Sequence, residues 1–269
     1  MGMKKIVVLI LFVLIVMQII NTKTPTLQYK TLFSSDESKV YVFEIENGDK
    51  TYRKLTFENN LQSYATQSAI FVNTPEEIAL KYYKIMLYSL SFVKNPSNIL
   101  VLGMGAGIMP AQISKYYPNA CIDVVEINPD LPYVAKQYFN FPESKNINIY
   151  IQDAYEFVMK AQQKQYDLIL FDVFDETYIP QQFLSKNFML QIGDILKENG
   201  IAAFNTFTNS KTYKQEEKLI TSSFDYSYEI IQENRILFTS NSDFIQYEIP
   251  KELEKQINFK KYSRKIIKK

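Results

Sequence analysis

The sequence predicts an α/β fold in which a doubly wound, mostly parallel sheet follows a small antiparallel β domain. From residue 98 onward, apolar strand-like runs alternate with helical segments, as in sheets buried on both faces. Upstream, strand-like runs flank Asn47-Gly48, a strong hairpin signal. We therefore expect four parts: a hydrophobic signal or anchor segment (1–24), a small β domain (25–74), an α/β ligand-binding domain (75–245) and a basic tail (246–269).

Composition limits the chemistry that the chain can perform. Its 269 residues are 46% apolar, enough to bury a substantial core, and its formal net charge of +1 gives no field that would attract nucleic acid. Histidine is absent, which excludes histidine-based acid–base catalysis and imidazole metal sites, and we predict no bound metal. The single cysteine, Cys121, lies in an apolar run and is expected to be a buried thiol.

The first 24 residues form a distinct segment. Lys4 and Lys5 precede residues 6–20, which are apolar except for Gln18. Fifteen helical residues span about 22 Å, less than the roughly 30 Å core of a bilayer. The segment is compatible with an uncleaved anchor with snorkelling lysines, a cleaved signal peptide or a buried helix. We predict membrane anchoring through residues 6–20, on a side that the sequence does not identify.

The predicted β domain consists of short strands and ends at a predicted helix. Strands are expected at 39–46, 51–57 and 69–72, within an antiparallel sheet over residues 27–73. Thr74 and Pro75 then resemble the N-cap and first position of a helix, and two acidic residues follow them.

The α/β domain is predicted from the alternation of its segments. Strands are expected at 98–103, 121–127, 146–151, 166–173 and 200–207, with helices near 107–117, 129–138, 153–163 and 181–198. A further helix and two more strands beyond residue 211 complete the predicted sheet.

Three glycines follow the first strand of this domain, at Gly103, Gly105 and Gly107. A dinucleotide-binding turn has the spacing G-x-G-x-x-G, but here Ile108 stands where the third glycine would be. The spacing favours an adenosyl ligand without a phosphate linker over NAD, with a purely structural bend as the alternative.

Acidic residues follow the next three strands. Glu126 is placed to accept the hydrogen bonds of a ribose diol. Asp153 is expected near an adenine amino group, with Ala154 beside the ring, although Asp153 also suits a helix N-cap. Asp172 and Asp175 follow the fourth strand, at the sheet edge where open α/β folds bind ligands, and two such acids suit a cation.

These segments resemble a known family. "NILVLGMGAG", "VVEINPDL", "IQDAYEFV" and "YDLILFDVFD" are similar, in order and spacing, to spermidine synthase and the wider polyamine aminopropyltransferase family. The resemblance implies a methyltransferase-type Rossmann domain after a small β domain. It also implies a transferase that moves an aminopropyl group to an amine such as putrescine.

The resemblance implies a role for each candidate residue. The three glycines would line decarboxylated S-adenosylmethionine, or S-adenosylmethionine itself, as co-substrate. Asp172 would be the catalytic aspartate, which orients the amine and accepts its proton. The remaining roles would be ribose binding (Glu126), adenine binding (Asp153 and Ala154) and contacts to the amine substrate (Asp175, Tyr82 and Tyr83).

The sequence also departs from the family pattern, and alternatives therefore stay open. Ala106 stands where the family has an aspartate, and Lys84 follows the tyrosine pair where the family has a glutamine. There are two alternatives. One is an S-adenosylmethionine-dependent methyltransferase with an unknown acceptor, and the other is a non-catalytic membrane-anchored adenosyl-binding module. An enzyme would face the cytoplasm, where its donor is found, and the chain is a candidate homo-oligomer.

Overall fold

The protein, described here as a computed structural model, contains two β-sheets. The structure describes residues 28–59, 66–174, 179–258 and 265–268. A four-stranded antiparallel sheet comes first in the chain, and an eight-stranded, mostly parallel sheet flanked by helices follows it. The predicted fold class is therefore confirmed.

The small sheet has its strands in chain order. A tight turn joins the second strand to the third, with Asn47 opposite Lys50 and Gly48 at a φ of 65°. This confirms the predicted hairpin. The four strands are β1 (Gln28–Ser35), β2 (Val40–Asn47), β3 (Lys50–Thr56) and β4 (Thr66–Phe71).

The first helix, α1 (Lys81–Tyr88), begins later than predicted. The predicted start at Thr74 is wrong: the Glu77 N–H donates to the Thr74 carbonyl in a turn, and Ile78 pairs with Ile70 of β4. Ile78 is buried in this bridge, so the chain is held against the small sheet before it can enter a helix.

The large sheet contains β5 to β12 in the order β12-β10-β11-β9-β8-β5-β6-β7. The five strands from β9 to β7 in that order are parallel, and β11, β10 and β12 are antiparallel. The strands are β5 (Asn98–Leu102), β6 (Cys121–Glu126), β7 (Ile147–Ile151), β8 (Tyr166–Phe171), β9 (Leu196–Phe207), β10 (Tyr226–Ile231), β11 (Asn234–Ser240) and β12 (Lys265–Lys268).

Helices connect most of these strands, close to the predicted positions. The helix expected at 181–198 begins only at residue 186, because a 3₁₀ turn (Gln181–Phe183) precedes it. The helices are α2 (Ile108–Tyr116), α3 (Leu131–Tyr138), α4 (Ala154–Lys160), α5 (Lys186–Ile195), α6 (Tyr213–Ser222) and α7 (Lys251–Ile257).

The centre of the large sheet is a topological switch point. From β5 the chain proceeds to β6 and β7 on one side, and β8 then returns to pair with β5 on the other side. The two strand ends are joined, since the Asp172 N–H donates to the Leu102 carbonyl at 2.8 Å. Ligands of open α/β sheets bind in the crevice at such a point.

The segment predicted as a basic tail contains a helix and a strand. Leu253 and Ile257 of α7 are fully buried, and α7 packs against α1. The Gln256 side chain accepts the Ile78 N–H at 2.9 Å, and β12 pairs with β10. The domain boundaries themselves stay a prediction.

Two sequence predictions are corrected. Across the described residues, no helix has the length and apolar character needed to cross a membrane, so the predicted membrane-anchored state is wrong. The longest described α-helices have ten residues and span about 15 Å. Residues 6–20 lie outside the described residues. Cys121 is exposed rather than buried, because it is the first residue of β6 at the amino end of the sheet.

Candidate active site

A cavity of about 770 Å³ lies at the switch point, between the carboxyl ends of the parallel strands and the small sheet. The glycine turn after β5, the ends of β6 and β8 and the start of α4 form one side. The connection between β1 and β2 contributes Asp36, Ser38 and Lys39 on the other side. Both sheets are therefore needed to form this cavity.

The glycine turn makes two close approaches that exclude side chains. Gly103 has a φ of 89°, and a Cβ there would overlap the carbonyl oxygen of Asp172. A Cβ on Gly105 would lie 2.8 Å from the Ser68 hydroxyl oxygen. Gly103 and Gly105 line the cavity. Gly107 instead lies against the Phe141 ring, so packing explains this third glycine.

Ser68 of β4 supports the glycine turn from the small sheet. Its buried hydroxyl oxygen accepts the Ala106 N–H at 2.9 Å and lies 2.7 Å from the Tyr83 hydroxyl. Three separate segments, β4, α1 and the turn, are thus joined through one oxygen atom.

Glu126 lies at the end of β6 with its carboxylate held by backbone donors. One carboxylate oxygen accepts the Met104 N–H at 2.9 Å, and the other accepts the Asn128 N–H at 2.8 Å. Burial raises its pKa, and the backbone hydrogen bonds offset part of that effect. The Asn128 side chain also donates to the Ser38 carbonyl at 3.0 Å, which ties this loop to the small sheet.

Asp153 is the N-cap of α4 and also lines the cavity. One carboxylate oxygen accepts the Tyr155 N–H at 2.7 Å, as expected for an N-cap. The other accepts from the Gln182 amide at 3.1 Å. Ala154 lines the cavity beside it, and the contact of both residues with adenine stays a prediction.

Asp172 lies at the end of β8, and neighbouring groups shift the pKa of its carboxyl. Burial raises its pKa to about 6, and the negative charge of Glu126 acts in the same direction. Hydrogen bonds with Asn205 and Tyr82 offset part of this rise. A carboxyl with a pKa near 6 is largely ionised at neutral pH and can still accept a proton.

Tyr82 and Tyr83 lie behind the cavity wall rather than in it. Their ring centroids are 4.3 Å apart, and both hydroxyls lie within hydrogen-bonding distance of the Gln67 carbonyl. Burial raises both pKa values, so both phenols stay protonated. Of the pair, Tyr82 also hydrogen-bonds Asp172.

The charge of the cavity lining is predominantly negative. Within the described ranges, five carboxyl residues and one lysine line it: Asp36, Glu58, Glu126, Asp153, Asp172 and Lys39. This excess favours a ligand that carries positive charge. The described residues contain no cluster of three or more potential metal ligands. Asp175 lies outside the described residues, so its contact with substrate stays a prediction.

Two site residues were missed by the sequence reasoning. Asn205 of β9 donates to Asp172, and Ser68 of β4 holds the glycine turn. Asn205 had a detectable signal, since it interrupts the apolar run of its strand. Ser68 had none, because its partner Ala106 is 38 residues away in the chain.

The chain is similar to two classes of transferase. The polyamine aminopropyltransferase of Vibrio vulnificus is 33% identical over 170 residues, covering 61% of this chain and 57% of that protein. The eEF1A lysine and N-terminal methyltransferase of Bos taurus is 29% identical over 145 residues, covering 48% of this chain and 21% of that protein. The chain thus matches little more than half of the first relative and a fifth of the second.

Structural similarity extends over most of the chain. A spermidine synthase solved with the transition-state analogue AdoDATO has a TM-score of 0.62 at 16% identity, covering 86% of this chain and 89% of that one. The sequence profile of the spermine/spermidine synthase domain matches residues 80–268, well over half of the chain. The chain therefore belongs to the spermine/spermidine synthase family.

Proposed function

We propose that the protein transfers an aminopropyl group from decarboxylated S-adenosylmethionine to a small amine. The observation that carries this proposal is Asp172, a carboxyl with a pKa near 6 in the wall of a carboxylate-rich cavity. A sulfonium donor and an ammonium acceptor are both cations, which suits that lining. The names of the Vibrio relative and of the AdoDATO complex support the same chemistry.

The proposed donor would occupy the wall formed by the large sheet. The Glu126 carboxylate would accept the ribose hydroxyls, and the turn at Gly103 and Gly105 would contact the ligand through its backbone. Asp153 and Ala154 would flank the adenine. The position of each of these residues around the cavity supports the proposed roles.

The reaction would be a single displacement. The amine lone pair forms a bond to the carbon attached to sulfur, and the carbon–sulfur bond breaks with its electron pair going to sulfur. The leaving group is the neutral thioether methylthioadenosine, so no general acid is required. Asp172 orients the amine and accepts its proton, and positioning of the two reactants supplies several kcal/mol of the acceleration.

Methyl transfer from S-adenosylmethionine is the second candidate. The bovine methyltransferase relative favours it. So does Ala106, because it brings no carboxylate that would bind an aminopropyl ammonium.

Product analysis distinguishes the two reactions. The full chain is incubated either with decarboxylated S-adenosylmethionine and a panel of diamines, or with S-adenosylmethionine and the same panel, and nucleosides are identified by mass spectrometry. We expect methylthioadenosine from the first mixture. S-adenosylhomocysteine from the second mixture alone would support methyl transfer, and no turnover in the first mixture would contradict the proposal.

A further inference from the structure

The side-chain amide of Asn205 is buried and contacts the Asp172 carboxylate. Its side chain is 1% exposed, and its Nδ2 donates to Asp172 Oδ1 at 2.7 Å. Its Oδ1 accepts from the Asn234 amide at 2.9 Å. A buried amide costs free energy unless it is hydrogen-bonded, and here both ends of the amide have partners.

Asn234 determines which end of this amide faces Asp172. If the Asn205 amide turned by 180°, its NH₂ group would face the Asn234 donor and its oxygen would face the carboxylate. Both contacts would then be unfavourable. The strand pairing keeps this arrangement in register, since Asn205 lies opposite Ile236 and Asn234 opposite Phe207.

We propose that Asn205 is a positioning residue for Asp172, anchored by Asn234, and that this pair sets the pH range in which Asp172 is ionised. The inference rests on the proposed function and extends it to two residues on β9 and β11. Within the part of the chain that the structure describes, the other titratable groups that act on the Asp172 charge are Glu126 of β6 and Tyr82 and Tyr83 of α1.

The substitution Asn205→Ala removes a donor to the ionised carboxylate. The Asp172 pKa should rise by about one pH unit, because hydrogen bonds to charged groups favour the charged form. Since Asp172 accepts a proton only when ionised, the acid limb of the rate profile should move to higher pH. From a starting pKa of about 6, the rate should fall about fivefold at pH 6 and change little at pH 8. Asn234→Ala should produce a smaller rise.

Thr239→Val is the matched control. Thr239 is a buried residue of β11 whose hydroxyl donates to the Ala202 carbonyl, away from Asp172. Its replacement removes a buried hydrogen bond from the same sheet and should leave the pH profile unchanged. An Asn205→Ala variant whose rate falls equally at every pH, or a Thr239→Val variant with the same shifted profile, would overturn the assignment.

Titration of the Asp172 carboxyl by ¹³C NMR tests the inference without turnover. The full chain is labelled at aspartate, and Asp172→Asn identifies the resonance. An inactive wild type together with a raised pKa in Asn205→Ala would contradict the proposed function and support the assignment of Asn205. An unchanged pKa would overturn that assignment whatever the activity. If Asn205→Ala does not fold, half-buried Asn234 supplies the same comparison.

Discussion

Asp172 is a carboxyl whose neighbours act on it in opposite directions. Burial and the charge of Glu126 raise its pKa, whereas the Asn205 amide and the Tyr82 phenol lower it. A carboxyl in water would be too weak a base at neutral pH, and one buried without hydrogen bonds would stay protonated. The balance of these contacts therefore leaves Asp172 ionised at neutral pH but more basic than usual.

Asp172→Asn should separate catalysis from binding. The amide keeps an oxygen that can accept from Asn205 but cannot take the amine proton, so turnover should fall about 10²- to 10⁴-fold. Affinity for methylthioadenosine should stay close to that of the wild type by calorimetry. Asp225→Asn, at an exposed aspartate outside the cavity, is the control and should keep full activity. Wild-type turnover in Asp172→Asn would remove the proton-accepting role.

The glycine turn joins β5 to α2, and its shape depends on close backbone contact with the end of β8. Gly103 approaches the Asp172 carbonyl so closely that the ends of β5 and β8 could not accommodate a side chain between them. This contact explains the glycine without any ligand, and it also keeps the turn and Asp172 in fixed relation.

Gly103→Ala should be far more damaging than Gly48→Ala. Both glycines have positive φ, at 89° and 65°, but a Cβ on Gly48 would meet no atom within 4 Å. Gly48→Ala should cost about 1 kcal/mol of unfolding free energy, for the backbone conformation alone. Gly103→Ala adds an overlap with backbone and should cost about 3 kcal/mol or more, with loss of nucleoside binding. Urea unfolding and calorimetry measure both effects, and equal losses would contradict this account.

Sequence patterns predicted those strands and turns whose determining residues lie within the strand or turn itself. The parallel strands were recognisable as apolar runs, and the hairpin was recognisable from Asn47-Gly48. The start of α1 was not predictable, because a tertiary contact between Ile78 and Ile70 overrides the Thr74-Pro75 signal. Ser68 and Asn205 contact partners 38 and 33 residues away, so local sequence does not show what they contact, although Asn205 is recognisable as a polar residue in an apolar strand.

The carboxyl-terminal segment connects parts of the molecule that are distant in sequence. Helix α7 lies against α1, and Gln256 contacts both Ile78 and the Tyr116 hydroxyl. Ile78 and α1 lie in the connection between the two sheets. The segment therefore supports the arrangement of the whole molecule.

Leu253→Ala should destabilise the whole protein. Leu253 is fully buried, and removing its side chain should lower the unfolding free energy by about 2–5 kcal/mol. Ile245→Ala is the control, because that side chain is 58% exposed and its loss should change stability by less than about 0.5 kcal/mol. Chemical denaturation gives both values, and equal effects would show that α7 contributes little.

The carboxylates around the cavity also affect the association rate of a cationic donor. An excess of negative charge in a concave surface accelerates encounter with cations, and dissolved salt screens that attraction. Stopped-flow measurements should therefore show a capture rate for a sulfonium nucleoside that falls as ionic strength rises. Lys39, the lysine of the described lining, opposes this attraction through its positive charge. Lys39→Asn removes that charge, and asparagine tolerates the positive φ of 51° at this position. That variant should capture the donor faster at low salt and no faster at high salt.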